Sequence, residues 1–168
     1  MQKESINKMD RKELLAFILK AHKNTYAASA EIKQKNKCKT PILIGHKDYH
    51  FKEGKWEYHD SYAGKDWAPG REVVFLNGEP VWCMSYQGRN NPAYPSEFFQ
   101  EQVFPFLKEA LKNIDENMPF RGPNKFEEGE FSYEFKLEGD YQYFKGKEII
   151  KFKGKEVFSQ DVMGELIK

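Results

Sequence analysis

Five residues of the types that bind metals or move protons fall within a short stretch: His46, Asp48, His50, His59 and Asp60. Imidazole and carboxylate together are the ligands of zinc and of hydrolytic metals. Strand alternation argues against such a centre, because it sends His46, Asp48 and His50 to one face and His59 and Asp60 to opposite faces. Exposed strand polar residues are the simpler reading, and neither a metal nor a cofactor is expected. Cys83 stands between Trp82 and Met84, where a thiol is normally buried and inert rather than nucleophilic. No nucleophile elbow, phosphate-binding glycine loop or dinucleotide fingerprint accompanies it.

A different chemistry is written in aromatic residues interleaved with a few fixed cations. Tyr26, Tyr62, Trp67, Trp82 and Tyr86 offer ring faces, and Arg89 and Arg121 offer planar guanidinium forks. Aromatic faces stack on planar rings, and arginine grips phosphate or carboxylate at two points. The competing account makes the aromatics core and the arginines bridges to backbone carbonyls.

The elements that would position these groups follow from periodicity. Asp10 and Glu13 have capping-box spacing, and Leu14, Leu15, Ile18, Leu19 and Ala21 form an apolar stripe, so a helix is predicted over 11–23. The chain then turns polar, with Lys33, Lys35, Lys37 and Lys39 on a segment read as a solvated, mobile loop rather than a phosphate track. Folded inward, residues 28–40 would form a lid. Strands are predicted near 47–52, 55–62, 71–76 and 80–86, with Asn77-Gly78 as a hairpin turn. Ser96 caps a second helical region, in which Pro105 must open a new segment whose buried face is Phe106, Leu107, Ala110, Leu111 and Ile114. Strand signals resume beyond Met118-Pro119-Phe120-Arg121-Gly122-Pro123.

The two β regions repeat each other. An offset of 75 residues pairs Phe51 with Phe126, Glu53 with Glu128, Gly54 with Gly129, Tyr58 with Tyr133 and Gly64 with Gly139. One residue further on, Gly70 pairs with Gly146, Glu72 with Glu148, Gly78 with Gly154, Val81 with Val157 and Gly88 with Gly164. Unrelated segments of this length share about two identities. The predicted fold is therefore α+β with an internal duplication. Each unit is one helix plus a four-stranded antiparallel meander, and the two pack as a two-layer or barrel-like double sheet. A single domain spans 1–168, with repeats at about 10–89 and 96–165. Residues matched in both copies, such as Glu72 and Glu148, are explained by the fold. Unmatched Arg89 and Arg121 are the better functional candidates.

Several segments resemble an uncharacterised bacterial family, domain-of-unknown-function family 5680. They are Thr25-Tyr26-Ala27, Lys47-Asp48-Tyr49-His50-Phe51, Tyr58-His59-Asp60-Ser61-Tyr62-Ala63-Gly64, Pro80-Val81-Trp82-Cys83-Met84-Ser85-Tyr86-Gln87-Gly88-Arg89 and Met118-Pro119-Phe120-Arg121-Gly122-Pro123. The resemblance implies no established activity. Members are sometimes fused to XRE-type helix-turn-helix regulators, which would suit ligand sensing; this chain is expected to have no room for that element. The family's His-Gly-Gly element near the end is replaced here by Asp161-Val162-Met163-Gly164-Glu165, so any site that it helps form is expected to be altered.

Size and charge bound the remaining possibilities. The chain has 168 residues, and a domain of this length buries roughly 70% of its unfolded surface without needing a disulfide or metal staple. Lys and Arg total 27 against 26 Asp and Glu, so no whole-molecule field favours a nucleic-acid polymer or an acidic membrane. Cys38 and Cys83 are the only cysteines and are expected to be free thiols, consistent with the cytoplasm. The leading expectation is non-catalytic binding or sequestration of a small, nucleotide-type ligand between the repeats by Tyr26, Asp48, Tyr62, Trp67, Arg89 and Arg121. Two alternatives stay open: a hydrolase or transferase acting on a small phosphorylated or nucleotide-like substrate, and a protein-interaction module. Homo-oligomerisation is left open.

Overall fold

The structure is a computed structural model that describes residues 9–168. Asp10 caps the first helix, α1 (Arg11–Asn24), by accepting the Lys12 backbone N–H at 2.8 Å. Glu13, expected to complete the capping box, reaches across to Lys55 instead, at 2.9 Å. The apolar stripe is buried as predicted through Leu14, Ile18 and Ala21, with Phe17 and His22 joining it. The segment read as an unstructured lysine loop holds a short helix, α2 (Ala30–Lys35), capped by Ser29. Beyond it, residues 36–38 run along the first strand: Lys37 bridges Tyr49, and the Cys38 N–H donates to the Asp48 carbonyl at 2.8 Å.

Eight antiparallel strands follow in two runs. They are β1 (Lys47–Glu53), β2 (Trp56–Tyr62), β3 (Gly70–Leu76), β4 (Glu79–Asn90), β5 (Lys125–Glu128), β6 (Phe131–Asp140), β7 (Tyr143–Phe152) and β8 (Lys155–Leu166). They form one large sheet in the order β1-β2-β3-β4-β8-β7-β6-β5, ending at β1 and β5. Its centre is the β4/β8 pair, which runs from Trp82 opposite Leu166 to Asn90 opposite Phe158. Residues 36–38 cover the outer edge of β1, and β5 is short and carries Lys125, Glu127 and Glu128, two ways of discouraging edge-to-edge pairing. The β3/β4 turn places Asn77 and Gly78 at φ 52° and 82°, as the Asn-Gly signal requires.

Between the strand runs lies the second helical region: α3 (Ser96–Phe98), a π-helical turn (Phe99–Val103) and α4 (Phe104–Lys112). Ser96 lies in the first turn rather than capping it; Pro95 occupies the cap. Pro105 has no N–H to give to the preceding turn. The wider turn absorbs that loss, with the Phe104 N–H bonding the Phe99 carbonyl five residues back. As predicted, Phe106, Leu107, Ala110, Leu111 and Ile114 are buried. Helix α1 packs on β1 and β2, and α4 packs on β5 and β6, so one face of the sheet is covered at both flanks. The core between them is aromatic: Trp82, Phe120 and Phe144 stack with ring centroids 4.5–6.1 Å apart.

Candidate functional site

Between these flanking helices the covered face of the sheet carries polar groups. Register sets them there: Tyr49, Asp60 and Glu72 are successive partners across β1, β2 and β3, and Tyr62, Gly70 and Tyr86 are the next such row across β2, β3 and β4. Gly70 is required at its place, because a Cβ there would meet the Tyr86 hydroxyl at 2.3 Å. Removing that side chain lets the Tyr86 ring lie across β3 and its hydroxyl donate to Asp60 Oδ1 at 2.7 Å.

The result is a cleft of about 150 Å³. Asp60, Tyr62 and Tyr86 form its sheet wall, Phe104 and Leu107 its helical wall, and Tyr26 and Arg121 reach in from the loops after α1 and α4. Arg121 is 6% exposed. Its Nε donates to Glu148 Oε1 at 3.2 Å, and its guanidinium lies 4.9 Å from the Tyr26 ring centre and 5.6 Å from that of Tyr86. Burial opposes the charge, but Glu148 and the surrounding tyrosines outweigh it and raise the guanidinium above its ordinary value. The cation is permanent.

Glu148 is fully engaged, accepting from Arg121, from the Tyr133 hydroxyl at 2.7 Å and from Gln160 Nε2 at 3.0 Å. Its sequence counterpart Glu72 meets His22 Nε2 at 2.7 Å, with both side chains wholly buried. Here the satisfaction is incomplete: His22 Nδ1, Glu72 Oε1 and the Tyr58 hydroxyl have no hydrogen-bond partner among the described residues.

Asp60 differs from both. Burial, and then the nearby Glu72 carboxylate, push its carboxyl up to about 8, so that it carries its proton at neutral pH. Tyr26 is likewise pushed well above the usual phenol value, first by burial and then by Glu72, and donates its proton to the Arg121 carbonyl at 3.1 Å. The floor therefore combines one fixed cation with neutral donors and acceptors. At the mouth stand Lys33, Lys47 and Lys108. Burial, and then Lys108, lower the Lys33 ammonium to about 8.

Of the six residues expected to bind a ligand, Tyr26, Tyr62 and Arg121 line this cleft. Asp48 lies on the other face of the sheet, opposite Ser61 in the strand register. There it accepts from the Ile42 N–H, the Ser61 hydroxyl and His59, at 2.8–3.0 Å. Burial tends to raise its carboxyl, but these donors hold it below the usual carboxylate range. Its partners make it an anchor for the segment leading into β1. Arg89 and Trp67 form their own pair away from the cleft wall, the guanidinium 5.0 Å from the ring and the Trp67 indole N–H bonded to Asn90 at 2.6 Å.

The register corrects the expected split of His46, Asp48, His50, His59 and Asp60: His50 lies opposite His59, which bonds Asp48, and only Asp60 turns to the covered face, yet among the described residues no three His, Cys, Asp or Glu side chains gather as a metal ion would require. Sequence reasoning did not select Asp60, His22, Gln160 or Lys108 for the site. Asp60 had a usable signal, as the inward residue between Tyr58 and Tyr62 on a strand of alternating burial.

Among the described residues no helix is long and apolar enough to cross a membrane. No curated protein and no solved structure matches the chain. The model of the family described as "Domain of unknown function (DUF5680)" matches residues 60–167, well over half of the sequence. That span begins at Asp60 and takes in Tyr62, Tyr86, Arg121, Glu148 and Gln160, while Tyr26, Lys33 and Lys47 precede it. The chain belongs to the DUF5680 family.

Proposed function

We propose that the protein binds a small anionic, nucleotide-type ligand in the cleft without transforming it. One observation carries this reading: the permanent Arg121 cation, the neutral Asp60 carboxyl and the rings of Tyr26, Tyr62 and Tyr86 converge on one concave site. Tyrosine faces suit a planar ring, a protonated carboxyl can donate to and accept from its edge, and the guanidinium suits an anionic group. The cleft would lie between two copies of one helix-plus-meander unit. The alternation of burial along β4 and β8, which agrees from Val81 and Val157 onward, and the parallel positions of Tyr58 and Tyr133 and of Glu72 and Glu148, support that two-copy reading.

Calorimetry and thermal shift against a panel of nucleotides test the proposal. Binding is expected in the wild type, lost in Arg121→Lys and Tyr62→Ala, and kept in Arg89→Ala, whose side chain is remote from the cleft. A panel without response, or loss confined to Arg89→Ala, would refute it.

A second reading has its own support, because a carboxyl that holds its proton near neutrality is what a general acid needs. Ligand recovered unchanged after heat release indicates binding alone; a new product indicates a hydrolase or transferase with Asp60 as its acid. A protein-interaction role rests on another observation, the consecutive exposed side chains of Ile42, Leu43 and Ile44. Binding partners lost in an Ile42→Ser, Ile44→Ser variant would favour it.

A further inference from the structure

The cleft does not end at its mouth. Past Lys33 and Lys47 it opens into an outer chamber of about 460 Å³, and the wall between the two includes Tyr26, Tyr62, Phe104 and Lys108. Lysines dominate this chamber: Lys33 and Lys37 from α2 and the residues after it, Lys47 from β1, and Lys108 and Lys112 from α4. The one acidic residue of its wall, Glu109, is paired to Lys112 at 2.5 Å.

Elsewhere the described lysines that touch carboxylates do so in ordinary surface pairs, such as Lys52 with Glu57 and Lys55 with Glu13. None of Lys33, Lys37, Lys47 or Lys108 has such a partner among the described residues. Three of them lie over rings instead: Lys33 over Tyr49 at 5.0 Å, Lys47 over Tyr62 at 5.7 Å and Lys108 over Phe104 at 4.4 Å. A protein whose charges nearly cancel thus gathers four unneutralised ammonium groups around one hollow beside an aromatic cleft. Like charges so arranged repel one another and are stabilised when multivalent anion enters.

We propose that the outer chamber is a polyphosphate subsite, so that the ligand carries two or more phosphate groups there while its planar ring occupies the inner cleft. The placement of the ring rests on the function proposed above; the phosphate chamber rests on the lysines alone. Geometry sets the polarity of the ligand. The cation buried deep in the inner cleft is already engaged by Glu148, whereas Lys33, Lys47 and Lys108 at the mouth shared by the two spaces, and Lys37 beyond it, have no carboxylate partner among the described residues. Burial first and then the neighbouring Lys108 lower the Lys33 ammonium, and a bound phosphate would favour its proton.

The test is calorimetry on the full chain with nucleosides, their 5′-mono-, di- and triphosphates and inorganic tripolyphosphate, against wild type and the double variant Lys33→Gln, Lys108→Gln. Both lysines lack carboxylate partners, so the double variant should melt no lower than wild type. Expected results are affinity rising about tenfold or more from mono- to triphosphate, and a loss of about a hundredfold for triphosphate in the double variant, about tenfold per charged contact. Nucleoside, which carries no phosphate, should lose far less affinity than triphosphate in that variant. At pH 8, binding should take up protons, read as a dependence of the heat on the buffer's ionisation enthalpy.

Equal affinity for mono- and triphosphate, or a double variant that binds triphosphate like wild type, would overturn the proposal. Tripolyphosphate that binds to wild type but not to the double variant, with no nucleotide preferred over it, would uphold the chamber and refute the ring-binding reading. Silence from every probe would overturn both.

Discussion

Replacing Asp60 by Asn should change how stability depends on pH more than stability itself. The Asp60 carboxyl is pushed up to about 8, against 3.8 for an unperturbed group. Between these values the folded chain holds a proton that the unfolded chain has released. The contribution of this group is therefore fully present below pH 3.8 and is lost as pH rises towards 8. One proton of difference is a slope of about 1.4 kcal/mol per pH unit.

Asn keeps an acceptor for the Tyr86 hydroxyl and has no proton to lose. Any packing cost of its amide is independent of pH, so only the slope matters. Between pH 5 and pH 7 the variant should gain about 3 kcal/mol relative to wild type, which is roughly 6–12 °C in Tm for a domain of this size. Lys33, lowered to about 8 from 10.5, titrates above this window and does not intrude. Denaturant unfolding of both proteins at pH 5, 6 and 7 reads the difference. A constant difference, or a variant that weakens as pH rises, would show that Asp60 is ionised and paired in the fold and would refute the reasoning.

Two further substitutions probe neighbouring features. Glu148→Ala leaves Arg121 buried without its carboxylate and should cost about 3–5 kcal/mol in urea unfolding. Glu57→Ala, which removes a carboxylate from the exposed Lys52 and His50 cluster, should cost less than about 1 kcal/mol. Comparable costs would mean that Arg121 is hydrated. At the β7/β8 turn, Lys153 sits at φ 51° before Gly154, where the matching β3/β4 turn has Asn77. Lys153→Asn should stabilise by about 0.5 kcal/mol and Lys153→Val destabilise by more than about 1 kcal/mol in thermal unfolding, since only the former tolerates the left-handed conformation.

The strands were legible because period-two alternation and glycine-marked turns are local signals. The four strands predicted in the first run appear in place, β3 beginning one residue early and β4 running on to Asn90. That extension depends on a partner far along the chain: Gln87, Gly88 and Arg89 are held by Asp161, Gln160 and Ser159 of β8. Pro105 was rightly read as a break, yet nothing local to it announces a π-helical turn. Helix α2 was missed because four of its six residues are polar and its surroundings read as a loop; its order comes from the Ser29 cap and from Asn36, whose side chain bonds the Asn24 carbonyl and whose own carbonyl takes the His50 N–H.

The site shows where local reading stops. Repetition set Glu72 and Glu148 apart as structural, and Glu148 does fix the Arg121 guanidinium against the Tyr26 and Tyr86 rings. The same matched carboxylates therefore hold different side chains, the His22 imidazole beside Glu72 and the Arg121 guanidinium beside Glu148. Asp60 has no carboxyl counterpart, since the offset of 75 residues places Phe135 there. The first strand run thus carries a carboxyl in the core where the second carries a ring, and the cleft lies against that carboxyl. Comparing the matched segments for what they do not share points to Arg121, which lines the cleft, and the same comparison applied to inward strand positions selects Asp60 as well. Arg89 passed the comparison and still lies outside the cleft, because an unmatched residue on the uncovered face of the sheet has no enclosed site to serve.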